Sequence, residues 1–110
     1  MASENVSGAG LAGRYATALF ELATEAKSLD TIAGDLARLR TLIDQNADLA
    51  RVVRSPVFSR EEQGKAMDAL LARIGVDPLT KNFIGLLAAK RRLFALPGIV
   101  TAFEGLVAKL

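Results

Sequence analysis

Residue types that carry chemistry are scarce in this chain. None of its 110 residues is His or Cys, which excludes imidazole bases and ligands, thiolate nucleophiles and every Ser-His-Asp arrangement. The carboxylates of Asp30, Asp35, Glu61 and Glu62 are interpreted as helix-start and solvated groups, because nothing in the sequence pairs them for general acid–base work. The composition therefore argues against an enzyme, and we expect no metal ion and no cofactor.

One glycine pattern could in principle bind a nucleotide. Gly8-Ala9-Gly10-Leu11-Ala12-Gly13 matches the GxGxxG fingerprint, and Asp30 or Asp35 follows roughly where a ribose-binding acid would stand. That chemistry requires a buried strand before the glycines, which aims the following helix at the pyrophosphate. The residues before Gly8 are too few and too polar for such a strand. We therefore predict that the match has no nucleotide-binding role.

The chain has a single basic run, Lys90-Arg91-Arg92, and its formal net charge is only +2. Cations at the C-terminal end of a helix complement the helix dipole, so this run requires no partner. A helical DNA-binding module would need a second basic element to contact phosphates, and the sequence offers none. We expect no nucleic-acid partner, although a small DNA-binding module stays open as an alternative function.

The fold class follows from the spacing of apolar residues. After Gly10 they recur with helical period, and no run alternates as a strand would. The pattern predicts an all-α, six-helix antiparallel bundle without a sheet, over residues 11–110, after a flexible lead at residues 1–10. The first predicted helix runs from about Leu11 to Lys27, the second from about Leu29 to Asp44, and a short third helix follows the Asn46 cap. The fourth runs from the Ser59 and Glu62 capping box to Gly75 and the fifth from Asp77-Pro78 to about Lys90. The sixth begins near Pro97-Gly98.

Two of these helices have more apolar surface than a small core needs. The first helix is apolar over an arc of roughly 200°, whereas a surface helix of a monomer needs about 100° or somewhat more. The fifth helix is apolar around most of its circumference. Either both helices are central and buried on most sides, or they share an exposed groove for an amphipathic partner helix. Small side chains modestly favour the groove, because they let another backbone approach closely.

Helical phase divides these residues between core and groove. The residues assigned to the groove are Ala16, Phe20 and Ala23 of the first helix, and Ile84, Leu87 and Ala88 of the fifth. The residues assigned to the core are Tyr15, Leu19, Leu22, Phe83 and Leu86. Lys27 and Arg91 are expected to supply charges at the rim of the groove, which steer an acidic flank of the partner.

Three segments of the chain are distinctive when they are taken together. The first is Arg14-Tyr15-Ala16-x-Ala18-Leu19-Phe20-x-Leu22-Ala23, and the second is Ser55-Pro56-Val57. The third is Asn82-Phe83-Ile84-x-Leu86-Leu87-x-x-Lys90-Arg91-Arg92-Leu93-x-x-Leu96-Pro97-x-Ile99-x-x-x-Phe103. In this order and spacing they resemble the N-terminal domain of the F-type ATP synthase delta subunit family, which includes the mitochondrial oligomycin-sensitivity-conferring protein. The resemblance covers residues 11–110.

The resemblance implies a six-helix domain and a non-catalytic role in the stator of a proton-translocating ATP synthase. It implies that the N-terminal helix of an alpha subunit binds between the first and fifth helices, which helps to hold the catalytic head to the peripheral stalk. It also implies a C-terminal domain that meets the peripheral-stalk b subunit, and we expect that domain to be absent from this chain. The expected location is the cytoplasmic face of a bacterial inner membrane, with membrane contact only through the complex. A homo-oligomeric helical adaptor is a further alternative.

Overall fold

A computed structural model describes residues 7–110, with side chains from Gly10 onward. Within this range the chain forms helices and no strand, which confirms the predicted all-α bundle. The helices are α1 (Ser7–Glu25), α2 (Leu29–Gln45), α3 (Ala47–Arg54), α4 (Arg60–Ile74), α5 (Pro78–Ala89) and α6 (Leu96–Ala108), with a 3-10 turn at Leu93–Ala95 before α6. No helix in the described range is long and apolar enough to cross a membrane.

The predicted caps set the helix ends. At the start of α4, Ser59 Oγ accepts a hydrogen bond from the Glu62 amide at 3.0 Å, and Glu62 Oε1 accepts one from the Ser59 amide at 2.7 Å. Gly75 ends α4 in the left-handed conformation, at φ 70°. Asp77 caps α5 by accepting from the Leu79 amide at 2.8 Å, and Asn46 caps α3 in the same way. The capping signals in the sequence are therefore confirmed.

The first helix begins earlier than predicted. Residues 1–6 of the predicted flexible lead lie outside the described residues, whereas residues 7–10 form the first turn of α1. The GxGxxG match at 8–13 therefore lies within a helix. Close packing on α6 continues up to this end, since a Cβ placed on Gly98 would lie 3.3 Å from the Cβ of Ala12. Tertiary packing can outweigh the low helix propensity of glycine.

The core lies between α1, α2, α5 and α6, and α1 packs chiefly on α6 while α5 packs chiefly on α4. Its centre is Phe103 of α6, whose ring meets the ring of Phe20 edge-on at 5.9 Å between centroids. The other large, fully buried side chains are Leu19, Ile32, Leu36, Leu39, Val53, Met67, Ile84, Leu87, Leu93, Leu96 and Ile99. On α2 the buried apolar residues Ile32, Leu36, Leu39 and Ile43 have the spacing of one helix face.

Asp35 is buried, and its interpretation as a solvated acid was wrong. It is 3 % exposed. Its Oδ2 accepts hydrogen bonds from the Asp77 amide at 2.9 Å and from Thr80 Oγ1 at 2.7 Å, and its Oδ1 accepts one from Arg38 at 2.9 Å. A buried carboxylate is tolerated when its oxygens are satisfied in this way. Asp35 therefore fixes the start of α5 to α2.

Candidate partner-binding surface

Two apolar stripes run along α1, one residue out of step with each other. The inner stripe is buried and consists of Ala12, Ala16, Leu19 and Ala23. The outer stripe consists of Leu11, Tyr15, Ala18 and Leu22, and all four are at least partly accessible. Since successive residues of a helix are about 100° apart, the outer stripe faces about a quarter of a turn away from the inner one. Leu22, at 49 % exposed, is its most accessible large side chain.

The same offset is found on α5. Its inner stripe is buried and consists of Thr80, Ile84 and Leu87. Its outer stripe consists of Leu79, Phe83 and Leu86, of which Phe83 is also buried and the two leucines are at least partly accessible. Leu86 is 44 % exposed. The two outer stripes have the same i, i+4, i+7 spacing, so each occupies a narrow arc of its helix.

One aromatic pair joins the outer stripes. The ring of Tyr15 meets the ring of Phe83 edge-on, with centroids 6.1 Å apart and planes at 72°. An edge-to-face arrangement is one of the favoured geometries for an aromatic pair. The α1/α5 face, defined as the outer stripes of both helices, is therefore joined at this contact, where Tyr15 is half-buried and Phe83 is 7 % exposed.

The predicted division between core and groove was wrong by one stripe. Ala16, Ala23, Ile84, Leu87 and Ala88, all assigned to the groove, are no more than 2 % exposed. A docking helix could reach them only by displacing the core. The small residues of α1 do admit another backbone closely, as the spacing suggested, but that backbone is α6 of the same domain.

Three further residues were assigned to the wrong side of their helix. Leu22 and Leu86, assigned to the core, are among the exposed large apolar side chains. Phe20, assigned to the groove, is half-buried and packs against Phe103 of α6. The core assignments of Leu19 and Phe83 are confirmed. Tyr15 is only half-buried, because it lies on the outer stripe.

Lys27 and Arg91, the two predicted rim charges, occupy equivalent positions at the ends of α1 and α5. Both are in the left-handed conformation, at φ 56° and 60°. The Ser28 amide donates to Ala23 O and the Lys27 amide to Thr24 O. The amides of Arg92 and Arg91 donate to Leu87 O and Ala88 O in the same pattern. This is the Schellman motif, which usually places glycine where these two cations stand.

The Arg91 side chain ties α5 to the segment before α4 and is not a loose rim charge. Its guanidinium donates to Phe58 O at 2.7 Å, to Pro56 O at 3.3 Å and to Gln63 Oε1 at 3.3 Å. Lys27 is exposed in the turn between α1 and α2. Because the helix-end residue is not glycine, the sequence carried no signal for either left-handed position.

Arg92 is the residue of this surface that sequence reasoning missed. Its guanidinium carbon lies 5.9 Å from the centroid of the Tyr15 ring, and its Nη1 donates to Tyr15 Oη at 3.1 Å. The basic run had been attributed to the helix dipole alone. Only the tertiary fold brings Arg92 onto Tyr15, 77 residues away in the chain, so no local pattern could have revealed it.

The described residues contain no cluster of three carboxylates that could hold a metal ion. The accessible groups of the α1/α5 face include the exposed side chains of Leu22 and Leu86 and the half-buried ring of Tyr15, with the guanidinium of Arg92 over that ring. That set of groups is suited to binding an amphipathic helix, since it offers apolar area for one face and a fixed charge for orientation.

Similarity to known proteins extends over most of the chain. A family model described as ATP synthase delta (OSCP) subunit matches residues 11–110. The ATP synthase subunit delta of Rhodopseudomonas palustris (strain BisA53) is 53 % identical over 109 residues, which are 99 % of this chain and 59 % of that protein. The corresponding protein of Azorhizobium caulinodans is 59 % identical over 99 residues, which are 90 % of this chain and 53 % of that protein. The chain thus spans little more than half the length of these curated relatives.

A solved structure supports the same relationship. One chain in the cryo-EM structure of the Polytomella F-ATP synthase, in a refinement focussed on the F1 head and rotor, superposes on this protein with a TM-score of 0.80. The two chains are 25 % identical, and the superposition covers 88 % of this chain and 85 % of the other. On the family match and these likenesses, the chain belongs to the ATP synthase delta (OSCP) subunit family.

Proposed function

We propose that this domain is a non-catalytic stator component of an F-type ATP synthase, and that it binds the N-terminal helix of an alpha subunit on the α1/α5 face. The single observation that carries the proposal is the pair of exposed leucines, Leu22 and Leu86, which extend the Tyr15–Phe83 pair on both helices. Attachment to the peripheral-stalk b subunit is proposed through the C-terminal domain that the family resemblance implies.

The apolar area of the α1/α5 face can supply the binding energy. Burial of apolar surface contributes about 25 cal/mol per Å², from which the costs of association and of ordering the partner must be subtracted. Ala18 lies between Tyr15 and Leu22 on the outer stripe and lets a partner backbone approach closely. A stator joint has to resist torque through long-lived contacts, so a preformed apolar surface without reactive groups is suited to it.

The proposal can be tested by calorimetric titration of the 110-residue chain with a synthetic alpha-subunit N-terminal peptide. Leu22→Asp and Leu86→Asp each place a carboxylate on the proposed contact. We expect either substitution to weaken binding by at least about 2 kcal/mol, which is typical of a central interface residue. The matched control is Val57→Asp, because Val57 is apolar and 82 % exposed but lies in the connection between α3 and α4.

Equal weakening by Val57→Asp, or unchanged binding by both leucine variants, would contradict the proposed face. Circular-dichroism melting of each variant separates lost binding from lost folding. Sedimentation at two protein concentrations tests the homo-oligomeric adaptor, which predicts self-association and no peptide binding. The DNA-binding alternative predicts affinity for random duplex DNA that falls steeply as salt rises.

A further inference from the structure

We propose that Arg92 is the anchor for a carboxylate on the helix that docks on the α1/α5 face. This inference rests on the proposed function and adds to it a specificity-determining residue and the charge pattern of the partner.

The backbone of Arg92 is fixed on both sides. Its amide donates to Leu87 O at 2.8 Å as part of the Schellman motif, and its carbonyl accepts from the Ala95 amide at 3.0 Å in the 3-10 turn. The side chain is then held over Tyr15 by the cation–π contact and by the hydrogen bond to Tyr15 Oη. A guanidinium that is positioned before binding loses little rotamer freedom when a ligand arrives.

Arg92 has hydrogen-bonding capacity beyond its contact with Tyr15. A guanidinium has five N–H donors, and among residues 10–110 the Tyr15 hydroxyl accepts from one of them. In the part of the chain that the structure describes, the ion pairs join Arg38, Arg40, Arg51 and Lys81 to carboxylates, and none includes Arg92. Arg92 is exposed. A carboxylate is the side-chain group whose two oxygens match the fork of free N–H groups.

The charges around Tyr15 favour an acidic ligand at this point. Lys90 precedes Arg92 at the end of α5, and Arg14 precedes Tyr15 on α1; both are exposed. The nearest acidic residues of α1, Glu21 and Glu25, lie about 9 and 15 Å further along the helix axis, at 1.5 Å per residue. An exposed basic residue therefore stands close in sequence to each partner of the Arg92–Tyr15 contact, whereas the acidic residues of α1 lie further along that helix. A partner helix with its carboxylates towards Arg92 has the complementary pattern.

The test is a double-mutant cycle on the complex with the synthetic alpha-subunit N-terminal peptide. Each Asp or Glu of the peptide is replaced singly by Asn or Gln, and each peptide is titrated against the unsubstituted chain and the Arg92→Gln variant. We expect Arg92→Gln to weaken binding about tenfold, and one peptide substitution to cause a similar loss that is absent in the Arg92→Gln background. Arg92→Lys keeps the charge without the fork, and we expect an intermediate loss.

The matched control is Arg73→Gln, because Arg73 is also exposed but lies on α4, and we expect it to leave the affinity unchanged. The role of Arg92 would be contradicted if Arg92→Gln left the affinity unchanged. It would also be contradicted if each peptide substitution weakened binding equally in the unsubstituted chain and in the Arg92→Gln variant. Either result would leave the proposed function intact. A wild-type chain that binds none of the peptides would overturn both. A melting temperature close to that of the unsubstituted chain shows that Arg92→Gln acts on binding.

Discussion

The inner stripe of α1 has smaller side chains than the outer stripe. Hydrophobicity alone would predict the reverse, with the larger apolar side chains buried. The inner stripe is three alanines and Leu19, and it is buried against α6. The outer stripe has larger side chains, yet Leu22 is half exposed. Small side chains lie inside because α6 approaches α1 closely, and large ones are left outside. One exposed leucine is ordinary, whereas a contiguous patch of exposed apolar side chains is typical of a surface for another molecule.

On α5 the two stripes differ in a second way. The inner stripe includes Thr80, which is fully buried because its hydroxyl donates to Asp35. The outer stripe is entirely apolar. Polarity therefore does not separate core from surface on this helix, and only the position relative to neighbouring helices does.

The largest expected effect is a difference in stability between the stripes. Leu19→Ala removes a fully buried side chain, and we expect it to lower the free energy of unfolding by about 3 kcal/mol, as other core Leu→Ala changes do. Leu22→Ala, on the outer stripe, should cost less than about 1 kcal/mol because Leu22 is half exposed. Urea denaturation of both variants measures the difference. Equal losses would show that the two stripes are not distinct.

A somewhat smaller effect is expected at the polar contact that fixes α5 on α2. Asp35→Ala leaves the Asp77 amide and the Thr80 hydroxyl without their acceptor, and we expect a loss of about 2 kcal/mol in the free energy of unfolding. Asp30→Ala is the control, because Asp30 is exposed in the first turn of α2 and should cost only about 0.5 kcal/mol. Thermal or urea unfolding distinguishes the two. If Asp35→Ala were as mild as Asp30→Ala, the buried contact would not fix α5.

The smallest effects are expected at the two left-handed helix ends, and they should have opposite signs. Lys27→Gly relieves a non-glycine residue at positive φ and should raise the free energy of unfolding by about 0.5 kcal/mol. Arg91→Gly relieves the same strain but removes the hydrogen bonds to Phe58, Pro56 and Gln63, so we expect a net loss of about 1 kcal/mol. Calorimetric melting of both variants measures the signs. If both substitutions stabilised the protein, the hydrogen bonds of the Arg91 side chain would contribute nothing to the free energy of unfolding.

The fold was largely predictable from the sequence because its determinants are local. The capping box at Ser59 and Glu62, the Asp77-Pro78 start and the Gly75 end each involve residues within one turn of the helix. Which side of each helix faces the core could not be predicted in the same way. The apolar arc of α1 covers both stripes, and nothing within α1 tells which side α6 will cover. The groove for a partner helix therefore stays a prediction, while five of the residues assigned to it lie in the core.

The remaining misses have the same origin. The burial of Asp35 depends on Asp77 and Thr80, more than 40 residues away in the chain. The position of Arg92 depends on Tyr15, 77 residues away. Such contacts form only when the helices pack together. Composition and local spacing therefore cannot predict them.

The most direct measurement for the central claim is an NMR titration of the isotope-labelled chain with the alpha-subunit N-terminal peptide. We expect changes in methyl and amide chemical shift to concentrate at the α1/α5 face, above all at Leu22, Leu86 and Tyr15. The chemical shifts of the buried methyl groups of Leu19 and Leu87 should change little. Shifts centred on the segment around Val57, or none at saturating peptide, would contradict it.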